Sequence, residues 1–262
     1  MSQDRHAHDR IYGVHPVLEA LRSQERGFDA IHLQRGRRGR DVEEILRLAK
    51  KSRVSVSFEP RALLDREAGS PYHQGAVGLV AARPYAHLDD LIEAAGRLES
   101  PLLLVLDGIE DPHNLGAIVR SAEAAGAQGI IVPERRAVGL TATVAKASAG
   151  AVEHLPVARV VNVSQAIERL KAARFWVYAL DTKGSRNYLD VDYHGPLALV
   201  VGGEGRGIRP LVADRCDGRV RIPMRGKVAS LNASVATAIL LFEVLRQRTG
   251  TGDRSLTHAG GG

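Results

Sequence analysis

The sequence predicts an α/β protein whose larger part is a mostly parallel sheet with helices on both faces. Two continuous apolar runs, at 102–106 and 197–201, are typical of strands covered on both faces of such a sheet. Between them, strand-like and helix-like segments alternate, as expected when crossover helices join parallel strands. A shorter alternation of the same kind occupies the first third of the chain. It predicts a small additional α/β domain.

Two proline-containing breaks, Arg83-Pro84 and Ser100-Pro101, set the expected domain boundaries. The polar ends of the chain have a composition that favours disorder. The predicted segments are a disordered N-terminus at 1–10, a small domain at 11–82, a linker at 83–100, a large domain at 101–248 and a disordered tail at 249–262.

Hydrophobic periodicity and turn residues place the individual elements. Helices are expected near 16–22, 41–51, 87–98, 114–125, 141–149, 164–173, 207–215 and 230–245, with a short one after Pro60. Strands are expected near 28–33, 54–58, 75–82, 102–106, 129–132, 155–161, 175–180 and 197–201.

Composition narrows the class of protein. The 262 residues are 44% hydrophobic and 25% charged, as in ordinary globular proteins. No apolar run reaches the ~20 residues that a membrane helix needs, and the N-terminus lacks a signal-peptide core. Cys216 is the one cysteine, which excludes an intrachain disulfide and a cysteine-based zinc cluster. We therefore expect a cytoplasmic protein without a membrane partner.

The basic charge balance suits a polyanionic partner, because the formal net charge is +6. A loop at 34–40 concentrates this charge. It is either a solvated loop or a phosphate-binding one, and the overall charge favours phosphate. Since only 4% of the residues are aromatic, base stacking is not expected to be the main binding device. The candidate RNA-binding residues are Arg35, Arg37, Arg38 and Arg40.

Polar residues gather after the apolar run at 102–106. Asp111, Asn114 and Arg120 follow this expected strand, and ligands of parallel sheets bind at the carboxyl ends of strands. Asp111 and Asn114 also fit helix capping, and Arg120 fits a surface charge. By itself this stretch favours the capping interpretation.

A second polar stretch follows the run at 197–201. Its glycines surround Glu204 and would let a ligand approach the backbone closely. The glycine spacing matches neither the dinucleotide fingerprint nor the phosphate-binding P-loop. A third stretch, Ile222-Pro223…Ser230-Leu231-Asn232, leads into the last helix, whose start is also consistent with simple capping.

The three stretches together, Asn114…Arg120, Gly202…Glu204…Gly205 and Ile222…Asn232, resemble the SpoU (TrmH-like) family of RNA ribose 2′-O-methyltransferases. The resemblance covers 102–248. Tyr12-Gly-Val-His-Pro and His73-Gln-Gly are similar to the N-terminal RNA-binding domain of one subgroup. That subgroup methylates a guanosine in 23S ribosomal RNA.

The resemblance implies that S-adenosylmethionine binds in a deep trefoil knot, without a metal. It places Gly202, Ile222, Leu231 and Leu180 at the cofactor. It also makes Arg120 a base or a phosphate clamp, and a permanently protonated guanidinium favours the clamp. The remaining expected catalytic residues are Asn114, Ser230, Asn232 and Glu204. The first three would bind the ribose or orient Arg120. Glu204 would fix the loop or Asn114, with direct acid–base work as the alternative.

The expected activity is methyl transfer to a guanosine 2′-hydroxyl in the peptidyl-transferase-centre P loop of 23S ribosomal RNA. Alternatives are a family member acting on transfer RNA or on a ribosomal antibiotic-resistance site, and a non-catalytic RNA-binding assembly factor. The family is dimeric, and apolar residues around most of the last helix agree with a homodimer. They are Leu231, Val235, Ile239 and Phe242 on one side and Ala238, Leu241 and Leu245 on another. The alternative is that the helix expected near 87–98 covers them within one chain.

Overall fold

The computed structural model describes residues 8–24, 27–81 and 83–250. The chain forms two compact units. Of the described residues, the first unit contains those up to 86 together with 110–120 and 138–156, and the second contains 87–109, 121–137 and those from 157 onward.

Strands and helices alternate along the described chain. The strands are β1 (His8–Tyr12), β2 (Phe28–Gln34), β3 (Ser55–Glu59), β4 (Ala76–Ala81), β5 (Leu102–Asp107), β6 (Gly129–Pro133), β7 (Val157–Val160), β8 (Trp176–Leu180), β9 (Arg186–Asn187), β10 (Leu197–Gly202) and β11 (Gly218–Arg221). The α-helices are α1 (Val14–Ser23), α2 (Arg40–Lys51), α3 (Arg61–Ala68), α4 (Leu88–Gly96), α5 (Pro112–Ala124), α6 (Ala142–Ala147), α7 (Val163–Ala172), α8 (Pro210–Ala213) and α9 (Ala233–Thr249). Two 3-10 helices are Ala151–Glu153 and Tyr188–Asp190.

The first unit contains a four-stranded sheet in the order β1-β4-β2-β3. The β2–β3 pair is parallel, and the other two pairs are antiparallel. Ile31 and Leu33 of β2 are fully buried and contribute to the core under the helices. In the same unit, α6 packs against β1, and the 3-10 helix Ala151–Glu153 packs against α1.

The turn at His73 has a structural role in this unit. His73 is 1% exposed, its Nδ1 accepts a hydrogen bond from the Gly75 amide at 2.9 Å, and its Nε2 lies 3.0 Å from an Asp65 carboxylate oxygen. The side-chain oxygen of Gln74 accepts from the Val14 amide at the start of α1, at 3.3 Å. The turn therefore connects α3 with α1, and the contacts of His73 give it a structural role.

The second unit is built on a seven-stranded, wholly parallel sheet in the order β7-β6-β5-β10-β8-β11-β9. β5 is buried along its whole length and pairs with β10 from Leu102↔Leu197 to Asp107↔Gly202. The predicted α/β class with a parallel sheet is confirmed. None of the helices in the described ranges has both the length and the apolarity needed to cross a bilayer.

Several boundaries differ from the sequence prediction. Residues 8–10, assigned to a disordered terminus, form part of β1, because His8 pairs with Ala81 and Arg10 with Leu79. The last helix begins at Ala233 instead of residue 230 and extends to Thr249, with Gly250 as its C-cap. The remaining parts of the two predicted disordered ends, 1–7 and 251–262, lie outside the described residues.

Two short strands were not predicted, and one helix was predicted too long. β9 and β11 have two and four residues, too few to produce a recognisable pattern. The helix expected at 207–215 is reduced to Pro210–Ala213, because the preceding residues belong to a glycine-rich loop.

Candidate functional site

The carboxyl ends of three adjacent strands open into one cavity of about 780 Å³. Leu180 ends β8, Gly202 ends β10 and Ile222 follows β11, and all three line the cavity. They are distant in sequence, but β10, β8 and β11 lie next to one another in the parallel sheet. The order of the strands therefore brings together the expected cofactor-binding residues.

The loop after β10 forms one wall of the cavity and depends on small residues. A Cβ atom on Gly203 would lie 1.9 Å from the Gly108 carbonyl oxygen, and one on Gly202 would lie 2.2 Å from the Gly207 carbonyl carbon. Neither contact is sterically possible. Only glycine lets this loop fold against itself and against the end of β5.

A buried carboxylate fixes the same loop. The Asp107 side chain, 1% exposed at the end of β5, accepts hydrogen bonds from the Arg209 backbone amide and Nε, both at 2.8 Å. Arg209 Nη2 lies 2.6 Å from Asp107 Oδ1. This pairing, which the sequence analysis missed, joins the far end of the glycine-rich loop to the sheet.

A second wall of the cavity is the segment that leads into α9. The Asn232 side-chain oxygen accepts from the Ser234 amide at 2.9 Å and the Val235 amide at 3.3 Å, so Asn232 is the N-cap of the helix. Its amide group donates to the Glu204 carboxylate. Glu204, Ser230, Leu231 and Asn232 all line the cavity. Asn232 thus connects the two walls.

Charged residues that no sequence motif predicted also line the cavity. The Asp181 carboxylate accepts from the Lys183 amide at 2.9 Å and lies 3.9 Å from Arg219 Nη1. Arg206 and Met224 are also part of the lining. The sequence signal for Asp181 and Lys183 was their position directly after a buried strand.

Asn114 and Arg120 lie on α5, in the first of the two units. Asn114 is 8% exposed, whereas Arg120 is exposed. At the start of the helix the Asp111 carboxylate accepts from the His113 amide at 2.9 Å, as the capping interpretation predicted. Neither Asn114 nor Arg120 is among the residues that line the cavity.

The four arginines of the basic loop have two different environments. Arg37 donates to the Gln74 carbonyl and to the Asp41 carboxylate, and this contact holds the pKa of Asp41 below its usual range. Arg35, Arg38 and Arg40 are exposed, and their side chains form no ion pair or hydrogen bond with any residue that the structure describes. These three are available for phosphate, while Arg37 shapes the loop.

No cluster of metal-ligating side chains occurs in the described part of the chain.

Two family models match the sequence. Residues 101–242 match the SpoU rRNA methylase family, and residues 10–86 match an RNA 2′-O ribose methyltransferase substrate-binding domain.

Similar proteins cover nearly the whole chain. One similar protein is YacO of Bacillus subtilis (strain 168), which is named as a TrmH family tRNA/rRNA methyltransferase. The two sequences are 45% identical, and the match covers 94% of this chain and 98% of the YacO chain. The crystal structure of an AdoMet-bound rRNA methyltransferase from Sinorhizobium meliloti has a TM-score of 0.78 and 28% identity, covering 94% of this chain and 89% of that one. A TrmH/SpoU tRNA modifying enzyme from A. aeolicus has 32% identity and a TM-score of 0.54, but covers 62% of this chain and 83% of its own.

Proposed function

The chain belongs to the SpoU rRNA methylase family of RNA methyltransferases, and on that premise we propose that it methylates a guanosine of 23S ribosomal RNA. The methyl donor is S-adenosylmethionine, and the acceptor is a ribose 2′-hydroxyl in the peptidyl-transferase-centre P loop. The observation that carries the proposal is the cavity at the ends of β8, β10 and β11, lined by residues of the second and third sequence stretches.

The cavity fits the proposed methyl donor in size and in construction. Its volume of about 780 Å³ lies within the range of small-molecule sites, roughly 300–1,000 Å³. Gly202 and Gly203 leave the backbone open to close approach by a ligand. We assign Leu180, Gly202, Ile222 and Leu231 to the cofactor, bound largely through backbone groups. The trefoil knot that the resemblance implies is part of this proposal.

The reaction moves a methyl group from a sulfonium to an oxygen, so the ribose hydroxyl must lose its proton. That proton passes to solvent water. Because a guanidinium is a poor proton acceptor, we assign Arg120 to clamping the neighbouring phosphate and stabilising the developing alkoxide. Asn114 and Ser230 are proposed to bind the ribose. Glu204 and Asn232, which bond to each other, are proposed to hold the two cavity walls in the reactive arrangement.

The extent of the similarity supports ribosomal RNA over transfer RNA. The rRNA methyltransferase from Sinorhizobium meliloti matches 94% of this chain, whereas the tRNA modifying enzyme from A. aeolicus matches 62%. The residues at 10–86 also match a substrate-binding domain. We propose that this domain selects the ribosomal RNA through Arg35, Arg38 and Arg40, with Arg37 holding their loop in place.

We also propose that the protein is a homodimer that pairs through α9. Val235 and Phe242 are 47% and 49% exposed on this helix, although both are large apolar side chains. Leu240, Leu241 and Val244 already form its buried face. A symmetric pairing would remove the exposed apolar face from water.

Calorimetry and methyl transfer together test the assigned roles. The intact protein is expected to bind S-adenosylmethionine, which a non-catalytic assembly factor has no need to do. Arg120→Ala should abolish methyl transfer and leave cofactor affinity nearly unchanged, because Arg120 does not line the cavity. A loss of cofactor binding as large as the loss of rate would remove this role from Arg120.

Ribose-methylation mapping of ribosomal RNA from cells with and without the gene tests the proposed target. One guanosine of 23S ribosomal RNA should lose its 2′-O-methyl group in the deleted strain. A lost methyl group in transfer RNA, or at a ribosomal nucleotide other than guanosine, would replace the proposed target with one of the alternatives.

A further inference from the structure

Tyr72 is an exposed aromatic side chain on a loop that is fixed by other residues. It is 72% exposed, whereas the next residue, His73, is 1% exposed and bonded on both ring nitrogens. The Tyr72 amide donates to the Ser70 hydroxyl at 3.3 Å. Packing in the protein interior does not explain why residue 72 is aromatic, because the hydrogen bonds of Ser70 and His73 hold the loop in place.

A lysine lies against this ring. Lys146 Nζ is 5.4 Å from the centroid of Tyr72 and 4.9 Å from that of Tyr12, and it donates to the Tyr72 carbonyl oxygen. Burial lowers the pKa of Lys146. A cation over an aromatic face is attracted by the ring electrons. The ring therefore has a fixed positive charge beside it while most of its surface faces solvent.

The basic loop begins next to the same turn. The Gln34 amide donates to the Gly75 carbonyl at 2.9 Å, and Arg37 donates to the Gln74 carbonyl. Gly75 follows Tyr72 by three residues, which span at most roughly 11 Å of extended chain. Arg35 and Arg38 therefore belong to a loop that is hydrogen-bonded to the turn directly after Tyr72.

We propose that Tyr72 is a stacking platform for one unpaired base of the RNA substrate, with Arg35 and Arg38 holding the adjacent phosphates. An exposed aromatic face beside fixed and free cations is the combination that recognises single-stranded RNA. A base inside a duplex is already stacked on its neighbours, so the platform favours a loop or bulge. The inference rests on the proposed RNA substrate but concerns binding, apart from the chemistry of methyl transfer.

The experiment measures the affinity of the full chain for two RNA probes by fluorescence anisotropy. One probe is a hairpin with an unpaired loop, and the other is a blunt duplex with the same stem sequence. Tyr72→Ala should weaken hairpin binding about tenfold, because stacking of one base on an aromatic ring contributes of that order. Its affinity for the duplex should not change. Tyr72→Phe and Tyr72→Trp, which retain an aromatic face, should bind the hairpin as the unaltered chain does.

Phe58→Ala is the matched control, since Phe58 is the 42% exposed aromatic residue of strand β3 in the same unit. It should leave hairpin affinity unchanged, and the cofactor affinity of every variant should equal that of the unaltered chain. Equal losses in Tyr72→Ala and Phe58→Ala, or on hairpin and duplex, would overturn the inference.

Two further outcomes separate this inference from the proposed function. If Tyr72→Ala changed the mass measured by light scattering and not the RNA affinity, the ring would be a contact between protein copies and the inference would be overturned. If the unaltered chain bound neither RNA probe, the proposed function and the inference would both be overturned.

Discussion

Arg209 and Asp107 show how one pair of residues can hold a binding loop in place. The Asp107 carboxylate ends β5 and is almost completely buried, while the Arg209 side chain is half exposed. The loop between Gly202 and Arg209 is thus bound to the sheet at its start by β10 pairing and at its end by this ion pair. The sequence could not predict the pairing, because 102 positions separate the two residues and neither lies in a recognised motif.

Arg209→Ala should lower the free energy of unfolding by roughly 2 kcal/mol, since it removes charged hydrogen bonds from a buried carboxylate. The Arg209 backbone amide still donates to Asp107, which limits the loss. Cofactor affinity should fall as well, because the loop forms a wall of the cavity. Denaturant unfolding and calorimetry provide the two measurements.

Arg97→Ala is the control for this prediction. Arg97 pairs with Glu93 at 2.7 Å, but both side chains are more than 70% exposed, so the pair should contribute little. If both variants were destabilised equally, the interaction between Arg209 and Asp107 would have no special role.

Cys216 should be chemically inert in the folded protein. Burial raises the pKa of its thiol to about 12, and the Sγ atom donates to the Val212 carbonyl at 3.3 Å. Because the thiolate is the reactive species, alkylation at pH 8 should be at least about a hundredfold slower than in the unfolded chain. Iodoacetamide labelling followed by mass spectrometry measures both rates. Labelling of the folded chain as fast as the unfolded one would show that the thiol is not held in its neutral form.

At the scale of elements, the prediction from sequence succeeded where burial was continuous. β5 is apolar up to Asp107 and β10 up to Gly202, so their type and position were clear. In β11 only Val220 is buried, and β9 has only two residues. Neither strand therefore produces a recognisable hydrophobic pattern in the sequence. The start of α9 was placed too early because Ser230, Asn232 and Ser234 all have capping side chains. The structure uses Asn232, whose side-chain oxygen receives the first free helix amides.

The exposed face of α9 gives a direct test of the proposed homodimer. Phe242→Glu replaces a side chain that is 49% exposed in the single chain, so the monomer core should tolerate it. The charge should prevent pairing of the apolar faces. Light scattering should show twice the chain mass of 28.2 kDa for the unaltered protein and the single mass for Phe242→Glu.

Val161→Glu is the matched control, because Val161 is 82% exposed and lies outside α9. It should leave the dimer intact. A mass of 28.2 kDa for the unaltered protein, with full activity, would rule out the dimer.

At the scale of the whole molecule, the net charge and the family membership both indicate an RNA substrate, and the two arguments rest on different residues. The net charge of +6 suggested a polyanion, and the structure shows which arginines of the basic loop are free to meet one. Residues of the second and third stretches line one cavity, and the cofactor contacts assigned to them remain proposals. Asn114 and Arg120 belong to the other unit, so their part in the site stays a prediction. Sequence patterns report local structure and burial, but not the relative placement of distant segments.

Arg38→Ala should weaken binding of ribosomal RNA and reduce the salt dependence of the affinity by about one unit of slope, as expected for one lost phosphate contact. Anisotropy measured over a range of salt concentrations gives both values. Arg97→Ala again supplies the control, since Arg97 is an exposed arginine outside the basic loop. An unchanged slope in Arg38→Ala would show that Arg38 does not contact phosphate.

The most direct test of the proposed activity follows the methyl group itself. Purified protein is incubated with 23S ribosomal RNA and S-adenosylmethionine labelled in its methyl group, and the RNA is digested to nucleosides for mass spectrometry. We predict that the label is recovered as 2′-O-methylguanosine and that it is absent with Arg120→Ala. Label on a base, or no label in the RNA despite cofactor binding, would contradict ribose 2′-O-methyl transfer by this protein.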